Sequence, residues 1–210
     1  ANKVWNASRF IMMNMEKAEI PEQIDLNTLT DADRWILSRL QHTIKDVSSF
    51  LEKFELGEAG RLIYDFIWGE VCDWYIELIK PRLYDKEHPE ERSTAQFVLC
   101  RVLGDAMKLL HPYMPFITEE IWQHLPHEGE SIMIAPWPVA DESLMDESVE
   151  SGMTVMMDAI KAGHEEIKKL LTFMNGIVAE IGKPKKSFTP VELDHALLAD
   201  VYAKHLEDVK

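Results

Sequence analysis

The sequence predicts an all-α protein, with an antiparallel helical bundle over residues 1–161 and a helical extension over residues 162–210. Apolar residues recur at steps of one, three and four over long windows, as they do on the buried face of a helix. The segments between these windows are short, which favours antiparallel neighbours. A hydrophobic content of 46% is enough for a sizeable core, and a charged content of 28% is ordinary for a globular domain.

The first two predicted helices are joined by a polar loop around Pro21. The first helix covers residues 1–15. Thr30, with Asp33 three positions later, is similar to a capping box with aspartate in the acidic position, and it marks the start of the second helix. That helix carries one apolar stripe and ends at Glu55-Leu56-Gly57. The stripe consists of Ile36, Leu37, Leu40, Ile44, Val47, Leu51 and Phe54.

Prolines separate the next three predicted helices. The third helix covers about residues 58–80, and Pro81 breaks or kinks it because proline lacks the amide hydrogen that a helix interior needs. The fourth covers about residues 93–111. A short helix then begins at Pro115, a residue that suits the first helical position, and ends near Leu125.

Prolines and glycines interrupt the helical pattern across residues 126–141, around the short apolar run Ile132–Ile134. This composition indicates either a brief strand or an extended strap over the bundle. Helical periodicity resumes near Val149 and continues past Ile160. The bundle should therefore hold about five helices, with one irregular connection before the last of them.

The chain is strongly acidic, with a formal net charge of -15. Seven lysines and eight acidic residues give residues 162–210 a charge of -1, so the remaining -14 lies in residues 1–161. A protein that gains most of its affinity from phosphates needs a positive face. The charge therefore argues against a broad nucleic-acid-binding surface, and any RNA contact should be local.

Several sequence features favour a cytoplasmic protein. Cys72 and Cys100 lie in apolar helical patterns without metal-site or disulfide spacing, which predicts reduced core thiols. No apolar run approaches the ~20 residues of a membrane span, and no charged-then-apolar leader is present. We expect a monomer, with neither a membrane nor DNA as a partner.

The first ten residues combine cations with aromatic side chains. Lys3 and Arg9 accompany Trp5 and Phe10, and no carboxylate occurs before Glu16. Positive charge for the phosphates and flat apolar faces for the bases are what single-stranded nucleic acid requires. The alternative is that Trp5 and Phe10 are ordinary core residues of an amphipathic helix.

Other groups of polar residues have simpler structural explanations. His124 and His127 could supply two metal ligands, but no third ligand stands at a supporting spacing, and we predict no metal site. Four carboxylates follow one another along the third helix, where a solvated face or pairing with neighbouring cations is a better explanation than acid–base catalysis. The carboxylates are Asp65, Glu70, Asp73 and Glu77, and the cations are Arg61, Lys80 and Arg82. We predict no catalytic residue.

Four stretches in the same order resemble the anticodon-binding helical domain of valyl-tRNA synthetases. They cover residues 1 to about 161 and are far more specific together than any one of them alone. The stretches are Asn2–Phe10 (NKVWNASRF), Phe66–Glu77 (FIWGEVCDWYIE), His111–Trp122 (HPYMPFITEEIW) and Ser131–Pro138 (SIMIAPWP).

The resemblance implies a helical module whose partner is the anticodon loop of tRNA(Val). It places Lys3 and Phe10 at anticodon-contacting positions of the family. Phe10 would be a stacking platform for an unstacked loop base, and Lys3 would reach a base edge or a phosphate. Asn6 and Arg9 lie in the same patch and would assist.

The same resemblance implies that catalysis lies elsewhere. Synthetases of this family use ATP to activate the amino acid, through motifs similar to His-Ile-Gly-His and Lys-Met-Ser-Lys-Ser. Neither motif occurs in this sequence, which also begins without an initiator methionine. We expect a fragment that is inactive alone, with no cofactor of its own and with ATP belonging to the parent enzyme.

Residues 162–210 carry a second, weaker resemblance. Gly163–Leu170 (GHEEIKKL) and Val178–Pro184 (VAEIGKP) are similar to the helical linker domain of polynucleotide phosphorylase, which implies a chimera with its junction near Lys161. Two alternatives to anticodon recognition therefore stay open. One is a fragment of an RNA-decay enzyme, and the other is a helical protein-interaction module without an RNA role.

Overall fold

The computed structural model describes residues 2–15 and 25–183, and within them the regular structure is helical with no strand. This confirms the predicted all-α class. A π-helical segment, Asp65–Tyr75, joins the third and fourth α-helices without a break. The α-helices are α1 (Asn2–Met15), α2 (Asp31–Glu52), α3 (Leu56–Tyr64), α4 (Ile76–Tyr84), α5 (Pro89–Leu110), α6 (Pro115–Trp122) and α7 (Glu147–Ile181).

The start of α2 confirms the predicted capping box. The Thr30 hydroxyl accepts a hydrogen bond from the Asp33 amide at 3.4 Å, and the Asp33 carboxylate accepts one from the Thr30 amide at 3.0 Å. The apolar stripe is buried as expected, except at its end. Phe54 is 87% exposed and lies beyond the helix, because its φ of 58° is left-handed and cannot continue an α-helix.

The third predicted helix is longer and less regular than expected. It begins at Leu56 and runs through the π segment into α4, so that Pro81 lies inside a helix that continues to Tyr84. At the end of the π segment the Ile76 amide donates to the Val71 carbonyl, five residues earlier. Of the two predicted effects of Pro81, a break was therefore wrong, and a kink stays a prediction. Proline removes one hydrogen bond, and packing holds the remaining turn.

The two helices that follow also start at prolines. α5 begins at Pro89, earlier than the predicted residue 93, with Glu90 and Glu91 in its first turn. A proline at the first turn gives up an amide that has no helical partner, and acidic residues are favourable at that end of the helix dipole. α6 begins at Pro115 as predicted and ends at Trp122, ahead of the predicted Leu125.

Residues 126–146 form a strap along α2, one of the two predicted alternatives. They contain short 3₁₀ turns at Ile132–Ile134 and Glu142–Leu144 in place of the predicted strand. The strap is hydrogen-bonded to α2 at several points. The contacts are Trp137 Nε1 to Ser48 Oγ (2.9 Å), the Asp141 amide to Gln41 Oε1 (2.9 Å) and Lys45 Nζ to Glu142 Oε1 (2.7 Å).

A buried polar network joins the start of α2 to α4. Asp33 is fully buried, and it accepts hydrogen bonds from the Tyr75 hydroxyl at 2.8 Å and from Arg82 Nη1 at 2.7 Å. Arg82 also donates to the Glu91 carbonyl at 3.1 Å. Each oxygen of the buried carboxylate thus accepts a hydrogen bond, from Tyr75 or from Arg82. A charge in a protein core requires such partners.

A second network joins α2, the π segment and the first turn of α7. Arg39 donates two hydrogen bonds to the Glu70 carboxylate, at 2.9 and 3.0 Å, and one to Glu150 at 3.1 Å. Ser38 donates to Glu150 as well. The bidentate pair with Glu70 is the strong form of an arginine–carboxylate interaction, and it raises the pKa of Arg39.

The chain divides into two compact units, Ala1–Ile160 and Lys161–Lys210. In the first unit, α7 buries Met153 and Met157. In the second unit, the described residues Lys161–Lys183 are exposed. The helices across residues 2–15 and 25–183 lack the combination of length and apolar composition that a bilayer span requires. The predicted loop around Pro21 and most of the predicted extension lie outside the described residues.

Candidate nucleic-acid interface

Helix α1 turns one face to the core and the other outward. Val4 and Ile11 are buried, and both lie on the inward face. At about 100° per residue, Lys3, Asn6 and Phe10 fall within about 60° of one another on the outer side. The helix therefore gathers three of the four predicted site residues on one strip of surface.

Lys3 is held by the π segment. Its ammonium donates to Asp73 Oδ1 at 2.5 Å and to the Trp68 carbonyl at 3.2 Å. The hydrogen bond that Lys3 donates to Asp73 raises the pKa of Lys3, which keeps the ammonium charged. Both side chains of the pair remain open to solvent, at 43% exposure for Lys3 and 58% for Asp73. A ligand at this surface would meet a cation and an anion together.

Phe10 is half-buried and packs against the core, with its ring below a second cation. Lys80 Nζ lies 5.7 Å from the centroid of the Phe10 ring, within cation–π range. Glu77 binds the same ammonium at 2.5 Å. The packing agrees with the prediction of a core residue, and the role of Phe10 as a stacking platform stays a prediction.

Asn6 and Arg9 are both exposed on α1. Arg9 lies about 60° beyond Asn6 around the helix, at the far edge of the strip. Among the described residues, neither side chain has a hydrogen bond or an ion pair. The predicted four-residue patch is therefore a strip of three residues with Arg9 at its border.

An aromatic pair beside Lys3 was not indicated by the sequence. The rings of Tyr64 and Trp68 are stacked, with centroids 4.6 Å apart and planes inclined by 15°. Tyr64 is 54% exposed. Their four-residue spacing along one helix is the signal that could have found them. The α1–π surface is defined here by Lys3, Asn6, Arg9, Phe10, Tyr64, Trp68, Asp73 and Lys80.

The other candidate groups behave as structural residues. Asp65 pairs with Arg61 at 3.0 Å and Glu77 with Lys80 at 2.5 Å, as predicted for a paired helix face. Arg82 pairs with Asp33 in the core instead of with these carboxylates. Two of the four carboxylates therefore pair with cations of the same helix, whereas Glu70 pairs with Arg39 of α2 and Asp73 with Lys3 of α1.

The two histidines near the end of α6 lie close to backbone carbonyls. Nδ1 of His124 is 2.8 Å from the Glu120 carbonyl, and Nδ1 of His127 is 2.8 Å from the Leu125 carbonyl. In the part of the chain that the structure describes, no group of three or more His, Cys, Asp or Glu side chains is placed to hold a metal ion.

Both cysteines have thiols of raised pKa. Burial raises the pKa of Cys72 to about 11 and that of Cys100 to about 12. At neutral pH each is a protonated thiol, and a protonated thiol is a poor nucleophile and a poor metal ligand. Their chemistry is that of small apolar core residues.

Comparison with known proteins gives a family match over most of the chain. A family model described as the anticodon-binding domain of tRNA ligase matches residues 33–181. The match begins inside α2 and therefore leaves the α1 half of the α1–π surface outside it. The match also continues past Lys161, the position at which the resemblance to polynucleotide phosphorylase implies a junction. The origin of residues 162–210 stays a prediction.

Curated relatives extend the similarity to more of the chain. A valine–tRNA ligase of Bacillus thuringiensis is 43% identical over 204 residues, which is 95% of this chain and 22% of the relative. That of Carboxydothermus hydrogenoformans is 50% identical over 183 residues, 87% of this chain and 20% of the relative. That of Geobacillus stearothermophilus is 52% identical over 163 residues, 77% of this chain and 18% of the relative. The chain thus spans about a fifth of the length of these relatives.

Proposed function

Because this chain belongs to the family of anticodon-binding domains of tRNA ligases, we propose that it recognises the anticodon of tRNA(Val) as part of a valine–tRNA ligase. In that enzyme it would hold the tRNA for aminoacylation at a separate catalytic domain. The module would act as a monomer.

The observation that carries the proposal is the outer strip of α1 beside the π segment. It offers the two components that unpaired bases require, an aromatic face at Phe10 and hydrogen-bonding groups at Lys3 and Asn6. The stacked Tyr64–Trp68 pair adds a second aromatic face next to Lys3. These groups come from two separate segments, so the folded bundle is needed to assemble them.

The charge distribution favours a short, specific contact over general RNA binding. Residues 1–161 hold -14 of the net charge, and within the α1–π surface the ammonium groups of Lys3 and Lys80 are each paired with a carboxylate. Weak attraction for phosphates leaves base contacts to supply the selectivity. This suits a module that reads a few bases of one loop.

Three glycines of the third helix lie within regular helical structure. Gly57 and Gly60 lie inside α3 and Gly69 lies inside the π segment, so these glycines do not form the loop that cradles nucleotide phosphates. We assign activation of the amino acid by ATP to the remainder of the parent enzyme, and no step of it to this chain.

The direct test is fluorescence anisotropy with a labelled anticodon stem-loop. We expect the valine loop to bind at low salt more tightly than the same loop with another anticodon, by at least tenfold. Equal affinity for the two loops would contradict the proposed function and favour general single-strand binding. No binding of either loop would also contradict it for this chain.

Replacing Phe10 with alanine should weaken binding of the valine loop by about tenfold, because one stacked base contributes roughly 1–3 kcal/mol. The measurement is the dissociation constant of the loop at fixed salt, with helicity checked by circular dichroism. Trp5→Ala is the matched control, since Trp5 is a 39% exposed aromatic on the opposite flank of α1. Equal losses in the two variants, or no loss in either, would make Phe10 a packing residue only.

Lys3→Ala and Arg9→Ala should differ in their salt dependence. Lys3 already shares its charge with Asp73, which would repel a phosphate, so we expect Lys3→Ala to lower affinity with little change in the salt slope. Arg9 has no described ion pair, and its loss should flatten the slope of log K against log salt by about 0.7, the value for one phosphate of a single strand.

Titration of both variants from low to moderate salt separates the two cases. Lys45→Ala, which removes an exposed, ion-paired lysine from the strap side of α2, is the control. A flattened slope for Lys3→Ala would assign Lys3 to a phosphate, and an unchanged slope for Arg9→Ala would remove Arg9 from the interface.

A further inference from the structure

We propose that Asp73 is a specificity-determining residue of this surface, and that its carboxylate accepts a hydrogen bond from the exocyclic amine of an anticodon base. The inference rests on the proposed function, because it takes the ligand to be the valine anticodon loop. It concerns a residue that the four-residue site prediction does not include.

The two oxygens of the Asp73 carboxylate differ in their contacts. Its Oδ1 accepts from Lys3 Nζ at 2.5 Å, while Oδ2 has no hydrogen-bond donor among the described residues. The side chain is 58% exposed. Asp73 is thus an exposed carboxylate of the α1–π surface with one oxygen on the Lys3 ammonium and one oxygen without a described donor.

The chemistry of Oδ2 limits which groups of an RNA loop can bind to it. An ionised carboxylate can only accept hydrogen bonds, and it repels phosphates. An RNA loop that covers Asp73 must therefore bring a donor to Oδ2, or it buries that oxygen without a hydrogen bond. The donors of an unpaired loop are its base edges and its ribose hydroxyls.

The genetic code fixes two bases of the valine anticodon. Valine codons begin with guanine and uracil, so base pairing makes the second and third anticodon bases adenine and cytosine. On the Watson–Crick edges of these two bases, the exocyclic amine is the hydrogen-bond donor. An aspartate that accepts from a cytosine or adenine amine also rejects uracil or guanine at the same position, where a carbonyl oxygen faces the carboxylate.

The aromatic pair supports this placement. Lys3 Nζ is bound both to Asp73 and to the carbonyl of Trp68, whose ring stacks on Tyr64. A base stacked on the exposed Tyr64 ring, which itself stacks on the half-buried Trp68, would lie next to the Lys3–Asp73 pair. Lys3 then has a donor left for a ring nitrogen, and Asp73 has an acceptor for the neighbouring amine.

The test is a double-mutant cycle in which the base amine of the loop and the carboxylate of the protein are removed separately and together. Anisotropy is measured with the valine loop and with two loops that each lack one amine, carrying purine in place of adenine or 2-pyrimidinone in place of cytosine. The proteins are the 210-residue chain, its Asp73→Ala variant and its Asp73→Asn variant. Glu77→Ala is the matched control, because Glu77 is a nearby carboxylate that also binds a lysine.

For the unsubstituted chain we expect one of the two amine-free loops to bind about tenfold more weakly, within the range for a good base contact. Asp73→Ala should bind the valine loop about tenfold more weakly and lose less than about twofold on removal of that amine. Asp73→Asn keeps a carbonyl acceptor, so its affinity should still depend in part on the base amine. Glu77→Ala should retain the full tenfold effect.

A full tenfold amine effect in Asp73→Ala would overturn this inference and leave the proposed function intact. The same holds if neither amine matters to the unsubstituted chain while it still prefers the valine loop. A chain with no preference for the valine loop over a mismatched loop contradicts the proposed function itself. Because Asp73 is exposed, its substitution should leave the helicity unchanged, which circular dichroism verifies.

Discussion

Replacing Asp33 with alanine should lower the free energy of unfolding by about 3–5 kcal/mol, the cost of breaking a buried ion pair from one side. The Asp33 carboxylate is fully buried and accepts from Tyr75 at 2.8 Å and from Arg82 at 2.7 Å. Alanine would leave both donors without their partner in the core. It would also remove half of the capping box with Thr30.

Urea denaturation followed by far-ultraviolet circular dichroism measures this effect. Asp31→Ala is the matched control, since Asp31 is an exposed carboxylate in the same first turn of α2, and it should change stability by less than about 0.5 kcal/mol. Tyr75→Phe removes one donor only and should cost about 1 kcal/mol. A loss below about 1 kcal/mol for Asp33→Ala would mean that Arg82 finds other acceptors when the carboxylate is gone.

The helices were predictable from sequence wherever a local rule decides the structure. The capping box at Thr30 and Asp33, the start of α6 at Pro115 and the stripe along α2 each depend on residues within a few positions of one another. The end of α2 was not predictable in this way. Phe54 continues the apolar spacing, yet its left-handed backbone takes it out of the helix and into solvent.

The π segment shows that the hydrogen-bonding pattern of a helix is harder to predict from sequence than the presence of the helix. Its apolar residues also suit an α-helix, and only the observed bond from the Ile76 amide to the Val71 carbonyl reveals the wider turn. Such segments are frequent at functional sites, since the extra residue per turn redirects side chains. Here the π segment carries Trp68 and Asp73, the two partners of Lys3.

Only the α1 residues of the candidate site could be predicted from the sequence, and that prediction came from the family resemblance. Lys3 and Phe10 were assigned by matching residues 2–10 to the family, and α1 does place them on one outer strip. Asp73 had been grouped with the paired acids of the third helix. Its contact with Lys3 spans 70 positions in the chain, and no local pattern encodes such a pairing.

Phe66→Ala should also destabilise the protein by about 3–5 kcal/mol, because it leaves a cavity the size of an aromatic ring in a packed core. Phe66 is 1% exposed and belongs to the π segment, whose outer side carries Trp68 and Asp73. Typical domains are stable by about 5–15 kcal/mol, so the loss is a large fraction of the total. Phe116→Ala is the matched control, because Phe116 is 90% exposed in the first turn of α6.

The Phe66→Ala variant also tests whether core packing or the surface contacts of Lys3 position the residues of the interface. At a temperature where Phe66→Ala is still folded, we expect its affinity for the valine loop to fall, because the packing of Phe66 fixes the π segment that presents Asp73 to Lys3. An unchanged affinity would instead mean that the Lys3 contacts with Asp73 and Trp68 suffice to position these groups. Wild-type stability in Phe66→Ala would contradict the packed core on which both explanations depend.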